Sequence, residues 1–374
     1  MKILSVLGTR PEAIKMAPVI QRLQGTPGIK PIVCVTAQHR QMLDQALELF
    51  QIRPDFDLDL MRDGQTMAQV SAGIFTHLDP ILADLQPDWV LAVGDTTTVV
   101  TTSLLAFYRR IKFGHIEAGL RTHNKWQPFP EEINRRLATV TADLHFAPTD
   151  WSKGNLLREG VEESRIVVTG NSVIDALLLA AQMDEPQAIR ALLSELGLGQ
   201  NTSGKKLILV TAHRRENFGA GMEQICQALK QLAARQDVEI VYPVHLNPNV
   251  QEPVNRILKG VPHITLLPPL DYLPLVHLMK NATLILTDSG GIQEEAPSLG
   301  IPVLVLRETT ERPEGVAAGT LKLVGTETGR IVAEASRLLE DASAYAEMSR
   351  ASNPYGDGQA ARRIVDALLQ TRQG

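Results

Sequence analysis

The stretch "LTDSGGIQEEAPSLG", residues 286–300, decides how the fold is read. An apolar run ends at Asp288, Ser289 and two glycines follow, and helical spacing sets in near Ile292. A buried strand, a bare turn and a helix form half of a strand–helix–strand unit with parallel strands. Gly290 and Gly291 let a ligand approach the backbone closely. The N–H groups and dipole at a helix start favour an anion. Glu294 and Glu295 come one turn later. A diphosphate held on those N–H groups would bring a ribose within reach of one of them, as in dinucleotide folds. The plainer alternative is a tight strand–helix turn with acids favourable to the dipole.

The same pattern recurs along the chain. Strand-like runs include "KILSVLG" (2–8), "KPIVCVTA" (30–37), "WVLAVGD" (89–95), "KFGHIEAG" (112–119) and "RIVVTG" (165–170). Helical spacing at 11–24, 41–50 and 97–109 separates them. After Gly170 the rhythm breaks, with 184–205 read as a helix and a loop. It resumes with "KLILVTAH" (206–213), "VEIVYPVH" (238–245), "HITLLPP" (263–269), "ATLILTDSG" (282–290), "IPVLVLRE" (301–308) and "TLKLVG" (320–325). The expected fold is α/β, with two doubly wound Rossmann-like halves. Their bounds are read as 1–170 and 171–354, followed by a C-terminal amphipathic helix.

A chain of 374 residues suggests about two domains, and 44% apolar residues allow each a core. Net charge is −5 with the basic residues scattered, which argues against a nucleic-acid groove. No apolar run approaches the ~20 residues of a membrane span. The opening "MKILSVLGTRPEAIK" reads as a first strand and not as a signal peptide. Cys34 and Cys226 sit in apolar stretches and read as reduced core thiols, so a cytoplasmic protein is expected.

Open α/β sheets bind ligands beyond the carboxyl ends of their strands. Arg10, Asp95, Glu117, His213 and the Ser289, Gly290, Gly291 turn all fall at such ends. If the halves face each other, these groups converge on one cleft. Arg10 and Lys15 flank a helix start after Gly8 and suit a phosphate. Asp95 and Glu117 close consecutive strands, the placement an acid/base pair needs. Glu131 and Glu132 open a helix, where acids are also favoured by the dipole alone. His213 at a strand end could donate to a leaving phosphate.

Other patterns fail on context. "GQNTSGKK" (199–206) precedes a strand and lacks the final Ser/Thr of a P-loop. "GDGQAA" (356–361) has no strand before it. "DFDLD" (55–59) reads as a half-exposed strand and not as a metal site. No Cys or His cluster has zinc spacing.

Ten segments in order extend the pattern over nearly the whole chain. They are "GTRPEAIKMAP", "TAQHRQMLDQ", "GDTTT", "HIEAGLRT", "PEEINR", "TAHRREN", "VHLNPNV", "TDSGGIQEEAPSLG", "TTERPE" and "NPYGDGQA". Together they resemble the non-hydrolysing UDP-N-acetylglucosamine 2-epimerases of bacteria. The resemblance implies a GT-B-like fold, with two Rossmann-like domains facing across a cleft and the last helix, about 355–374, packing back on the first. It implies that Arg10, Ser289, Gly290, Gly291, Glu295 and Arg312 hold uridine diphosphate, with Glu295 on the ribose and Leu270 and Leu275 near the uracil. Lys15, Asp95, Glu117, Glu131 and His213 would line the sugar, the last four being the catalytic candidates. Gln38, His39, Gln41, Gln65 and His245 match a second UDP-N-acetylglucosamine site, where the sugar nucleotide activates. A homodimer and no cofactor or metal are also implied.

The implied reaction inverts C2 of an acetamido sugar. That C–H is not next to a carbonyl, so no enolate forms, and no dinucleotide fingerprint supports a nicotinamide route. The remaining path expels UDP, removes the C2 proton to give a 2-acetamidoglucal, and adds UDP back after reprotonation on the other face. The product, UDP-N-acetylmannosamine, would feed surface polysaccharide synthesis. Three alternatives stay open at this level: a retaining glycosyltransferase, a UDP-sugar sensor and a hydrolysing epimerase.

Overall fold

The computed structural model describes residues 1–36, 40–62, 64–198 and 204–371. Contacts divide the chain into two units. One holds residues 1–179 and the C-terminal stretch from Tyr355, and the other is Ala180–Pro354. The sequence reading put the break at 170. The observed division falls after Leu179, inside the helix Ser172–Gln182.

The first unit contains a parallel sheet of β1 (Lys2–Leu7), β2 (Lys30–Val35), β3 (Phe56–Asp57), β4 (Trp89–Val93), β5 (Lys112–Ile116), β6 (Leu144–Ala147) and β7 (Ile166–Val168). The spatial order is β3-β2-β1-β4-β5-β6-β7. The second unit repeats the plan with β8 (Lys206–Thr211), β9 (Val238–Pro243), β10 (Ile264–Leu267), β11 (Leu284–Thr287), β12 (Val303–Val305) and β13 (Leu321–Leu323). Its order is β10-β9-β8-β11-β12-β13. Every described pairing is parallel. Strands buried on both faces must be apolar throughout, and β4 is buried at all five positions. The doubly wound α/β expectation is met in each unit.

Some expectations need correction. "DFDLD" forms only the two-residue β3, because alternating aspartates suit an edge and not a buried strand. The strand "HIEAG" stops at Ile116, and Glu117 turns out of it at φ +64. The helix after Asp288 begins at Gly290 and not near Ile292, so both glycines lie in its first turn. The sequence reading missed β6, whose four residues include His145 in mid-run.

In each sheet the strand order reverses beside the first strand. The reversal lies between β1 and β4 in one unit, and between β8 and β11 in the other. Helices leave on opposite faces there, so the carboxyl ends of the strands open a crevice. The helix Arg10–Gln24 follows β1, started by Thr9, which forms a capping box with Glu12. The returning C-terminal segment packs on that helix and is held by the residues after β7. Asn171 donates its backbone N–H to the Tyr355 carbonyl at 2.6 Å. The Asp175 carboxylate accepts from the Ala360 and Ala361 N–H groups, which begin the helix Ala360–Gln370. Among the described residues no helix is long and apolar enough to cross a membrane.

Two histidines lie side by side in register on β5 and β6, fully buried. His115 Nε2 donates to the Gly94 carbonyl at 2.7 Å, and both His145 ring nitrogens lack a partner among the described residues. Burial pushes His115 down to about 4 despite that hydrogen bond. Burial, then the His115 charge, pushes His145 down to about 3. The unfolded chain takes up these protons at ordinary histidine values and the folded chain does not. Stability is therefore full above pH ~6.5 and falls as the pH drops towards the folded values, each unit of difference being worth about 1.4 kcal/mol. Urea unfolding midpoints should decline between pH ~6.5 and ~4, and less steeply for His145→Leu. Equal slopes for both proteins would contradict this assignment.

Candidate active site

The first unit gathers its polar groups where β1, β4 and β5 end. Glu12 is buried in the first turn of its helix. One carboxylate oxygen accepts from the Gly8 and Thr9 N–H groups at 2.9 and 2.7 Å, and the other from Thr96 Oγ1 at 2.6 Å. Burial raises its pKa, and these hydrogen bonds oppose the rise. Glu12 thus ties the loop carrying Arg10 to the loop carrying Asp95. Arg10 has no side-chain hydrogen bond or ion pair among the described residues, and it sits half-buried at the mouth of its helix.

Glu117 is only 6% exposed and holds a left-handed backbone. That conformation costs a non-glycine residue about 1 kcal/mol, and such strain gathers at functional sites. Lys15 Nζ donates to both its oxygens at 2.7 and 2.6 Å, and Asn171 Nδ2 donates to Oε1 at 3.1 Å. The Lys15 charge is therefore directed at a carboxylate. A Cβ on Gly94 would lie 3.4 Å from Glu117 Oε2, so the turn before Asp95 runs directly beside this group.

Asp95 is held from the helix Glu131–Thr141. Arg135 lies 2.6 Å from Asp95 Oδ2, and Asn134 Nδ2 donates to the Asp95 carbonyl at 2.9 Å. Residues three and four apart share a helix face, so Glu131 stands on the face that meets Asp95. Glu131 Oε2 is buried without a partner among the described residues. Its neighbour Glu132 has a different task. It accepts from the Thr122 and His123 N–H groups and pairs with Arg135 and Arg136. Glu132 shapes the loop, and none of its described partners engages the Glu131 oxygen.

The second unit has its own cluster at the ends of β8 and β11. Asp288 is fully buried and accepts from the N–H groups of His213 and Arg214 and from Asn217 Nδ2. Its carboxylate lies 3.7 Å from His213 Nδ1, and the ring stacks on His245 at 5.2 Å between centroids. Burial lowers the His213 pKa, Asp288 opposes this, and His245 and Arg214 lower it further. The ring is thus suited to act as a neutral hydrogen-bond donor near pH 7.

Across the same turn, Ser289 caps the helix Gly290–Glu295 without a side-chain cap bond. A Cβ on Gly290 would come within 3.1 Å of Arg312 Cζ, so the bare glycine makes room for the guanidinium. Glu294 Oε1 accepts from Arg312 Nε at 2.8 Å, and Glu311 stands 3.7 Å from Nη1. Buried Arg307 grips Glu311 with two nitrogens and also pairs with Glu216, on the loop after His213. Burial alone would raise Glu311, but the Arg307 hydrogen bond and charge carry it down to about 2. This network joins the His213 loop to the Arg312 loop. Glu295 Oε1 accepts from the Tyr272 phenol at 2.7 Å.

Within the first unit, Lys15 meets Glu117, and Asp95 meets the helix of Glu131. Within the second, His213, Ser289, Gly290, Gly291, Glu295 and Arg312 all follow carboxyl ends of β8, β11 and β12. Leu270 and Leu275 flank Tyr272 and are half-buried. Of the activator candidates, Gln38 and His39 lie outside the described residues, as does the side chain of Gln41. Gln65 donates to the Leu60 carbonyl and accepts from the Arg62 N–H, so its amide serves its own loop. His245 stacks on His213. Sequence reasoning assigned no role to Asn171, Asn134, Arg135, Glu12 or Asp288, because each acts on a residue far away along the chain. Asn134 and Arg135 left a signal in their helical spacing from Glu131, and Glu12 left one in its capping-box spacing from Thr9.

Comparison with known proteins identifies the family. Residues 21–369 match the UDP-N-acetylglucosamine 2-epimerase family. A UDP-N-acetylglucosamine 2-epimerase of Salmonella typhimurium is 59% identical, covering 100% of this chain and 99% of that protein. The Neisseria meningitidis UDP-GlcNAc 2-epimerase, solved bound to UDP-GlcNAc, is 50% identical with a TM-score of 0.88 over 99% of this chain and 100% of that one. The Methanocaldococcus jannaschii enzyme, solved with UDP-GlcNAc and UDP, is 32% identical with a TM-score of 0.78 over 99% and 100%. With matching residues spread over both sheets, the chain belongs to the UDP-N-acetylglucosamine 2-epimerase family.

Proposed function

We propose that this chain interconverts UDP-N-acetylglucosamine and UDP-N-acetylmannosamine by eliminating and re-adding UDP. The observation that carries this reading is the paired placement at the two strand-order reversals. Beside one, the turn before Asp95 runs next to Glu117, and Arg135 on the helix that begins with Glu131 pairs with Asp95. The other holds the bare helix start at Gly290 with Arg312 against it.

The reaction breaks the C1–O bond, and the departing diphosphate takes the electron pair. The N–H groups at residues 289–291, Arg312 and Arg10 stabilise the charge that develops there. The neutral His213 ring adds a hydrogen bond to the leaving oxygen. As C1 becomes electron-poor, the C2 proton passes to a carboxylate on one face, leaving the 2-acetamidoglucal. A carboxylic acid on the opposite face delivers a proton to C2, and the diphosphate oxygen attacks C1 again. Base and acid are drawn from Asp95, Glu117 and Glu131. Lys15 and Arg135 hold Glu117 and Asp95 in place. The product is an N-acetylmannosamine donor, the kind of precursor a surface polysaccharide pathway consumes. Buried free Cys34 and Cys226 suit a reducing compartment such as the cytoplasm.

In heavy water, UDP-N-acetylglucosamine alone should give UDP-N-acetylmannosamine carrying deuterium at C2. Product without it, or free N-acetylmannosamine with UDP, contradicts the scheme. Asp95→Asn, Glu117→Gln and Glu131→Gln should each lower kcat by at least about a hundredfold, the usual range for a lost acid or base, while still binding UDP.

A second copy of the chain suits the outer face of the helix Glu131–Thr141. Ile133, Leu137 and Val140 form a stripe at helical spacing, exposed by 36, 44 and 83%. Sedimentation should show a dimer, and Leu137→Asp should yield a folded monomer. A wild-type monomer at micromolar concentration would rule the dimer out.

A further inference from the structure

The adjacent carboxylates Glu294 and Glu295 leave their helix in different directions. Glu294 serves Arg312. Glu295 Oε1 accepts the Tyr272 phenol at 2.7 Å, and its Oε2 lies 3.6 Å from where a Cβ on Gly291 would stand. One oxygen is therefore anchored on the helix Tyr272–Asn281, and the other lies beside Gly291, in the first turn of the helix whose start the proposed function assigns to the diphosphate.

We propose that Tyr272 is a positioning residue that sets the Glu295 carboxylate for the ribose hydroxyls, and so sets the preference for ribose over 2′-deoxyribose nucleotides. The inference rests on the reading of Glu295 as the ribose carboxylate. Rotation about the terminal bond of a glutamate is broad and weakly restrained. A phenol donating to one oxygen restrains the carboxylate and keeps the second oxygen beside Gly291. Burial raises the Tyr272 pKa well above 10, and the Glu295 charge raises it further, so the phenol stays a donor throughout the working range. A polar group built to meet a hydroxyl rejects the analogue that lacks it far better than an apolar pocket does. That rejection depends on the group being held in place. If Tyr272 only packed its helix against the turn Ala296–Leu299, its loss would affect both nucleotides alike.

The test measures kcat/KM for UDP-N-acetylglucosamine and its 2′-deoxyuridine analogue with the wild type, Tyr272→Phe and Glu295→Gln. Tyr272→Phe removes one oxygen and keeps the ring. It should raise KM for the ribose substrate about tenfold, the effect of one hydrogen bond to a charged group. The kcat, its pH profile and the deoxy substrate's kcat/KM should hold near wild type, so the ribose/deoxyribose ratio falls about tenfold. Glu295→Gln should lose most of the ratio. A wild-type ratio in Tyr272→Phe, or an equal loss on both substrates, overturns the role of Tyr272 while Glu295 keeps its own. A wild-type ratio in Glu295→Gln shows instead that the ribose reading has failed.

Discussion

Parallel strands that reverse their order beside the first strand are the constraint behind everything else. A chain so wound must send successive helices to opposite faces at the reversal, and a crevice opens at the strand ends. Both sheets do this, between β1 and β4 and between β8 and β11. The backbone there is already bare and polar, because strands have ended and helices have not yet closed their hydrogen bonds. Side chains placed at these ends need no special architecture to become a site. They need only to be held still.

Much of the structure does that holding. Three pairs of neighbouring charged residues divide their labour. Glu12 bridges two loops while Arg10 stands at the mouth. Glu132 shapes the loop before its helix while Glu131 keeps a buried oxygen without a described partner. Glu294 holds Arg312 while Glu295 meets Tyr272. In each case one carboxylate is satisfied by protein groups and organises the charge beside it. Ion pairs of this kind add little net stability when buried, since desolvation offsets the attraction, and their worth lies in geometry. The same holds for Arg307, whose two carboxylate partners sit on the loops of His213 and Arg312.

The sequence showed the parts whose signal is local. Continuous apolar runs ending in Gly, Asp or His marked most strands and the positions of Arg10, Asp95, Glu117, His213 and Ser289. A broken run hid β6, where His145 interrupts four residues. The left-handed turn at Glu117 was invisible, because nothing in "HIEAG" demands it. Asn171 reaches Glu117 across 54 positions and Asp288 reaches His213 across 75, and no spacing rule links residues so far apart. The doubled glutamates could be noticed, but only the family resemblance, and no local pattern, told them apart. Only the packing of neighbouring elements decides which of two adjacent side chains meets a cation and which meets the mouth of a helix.

The proposal to test is that the diphosphate of the sugar nucleotide is held by residues 289–291 with Arg312 and that its C2 is worked on by Asp95, Glu117 and Glu131. A crystal structure with bound UDP-N-acetylglucosamine tests this most directly. The account predicts phosphate oxygens about 3 Å from those N–H groups and the guanidinium, with C2 flanked by carboxylates on both faces. A diphosphate seated elsewhere, or a sugar ring remote from all three acids, would contradict it.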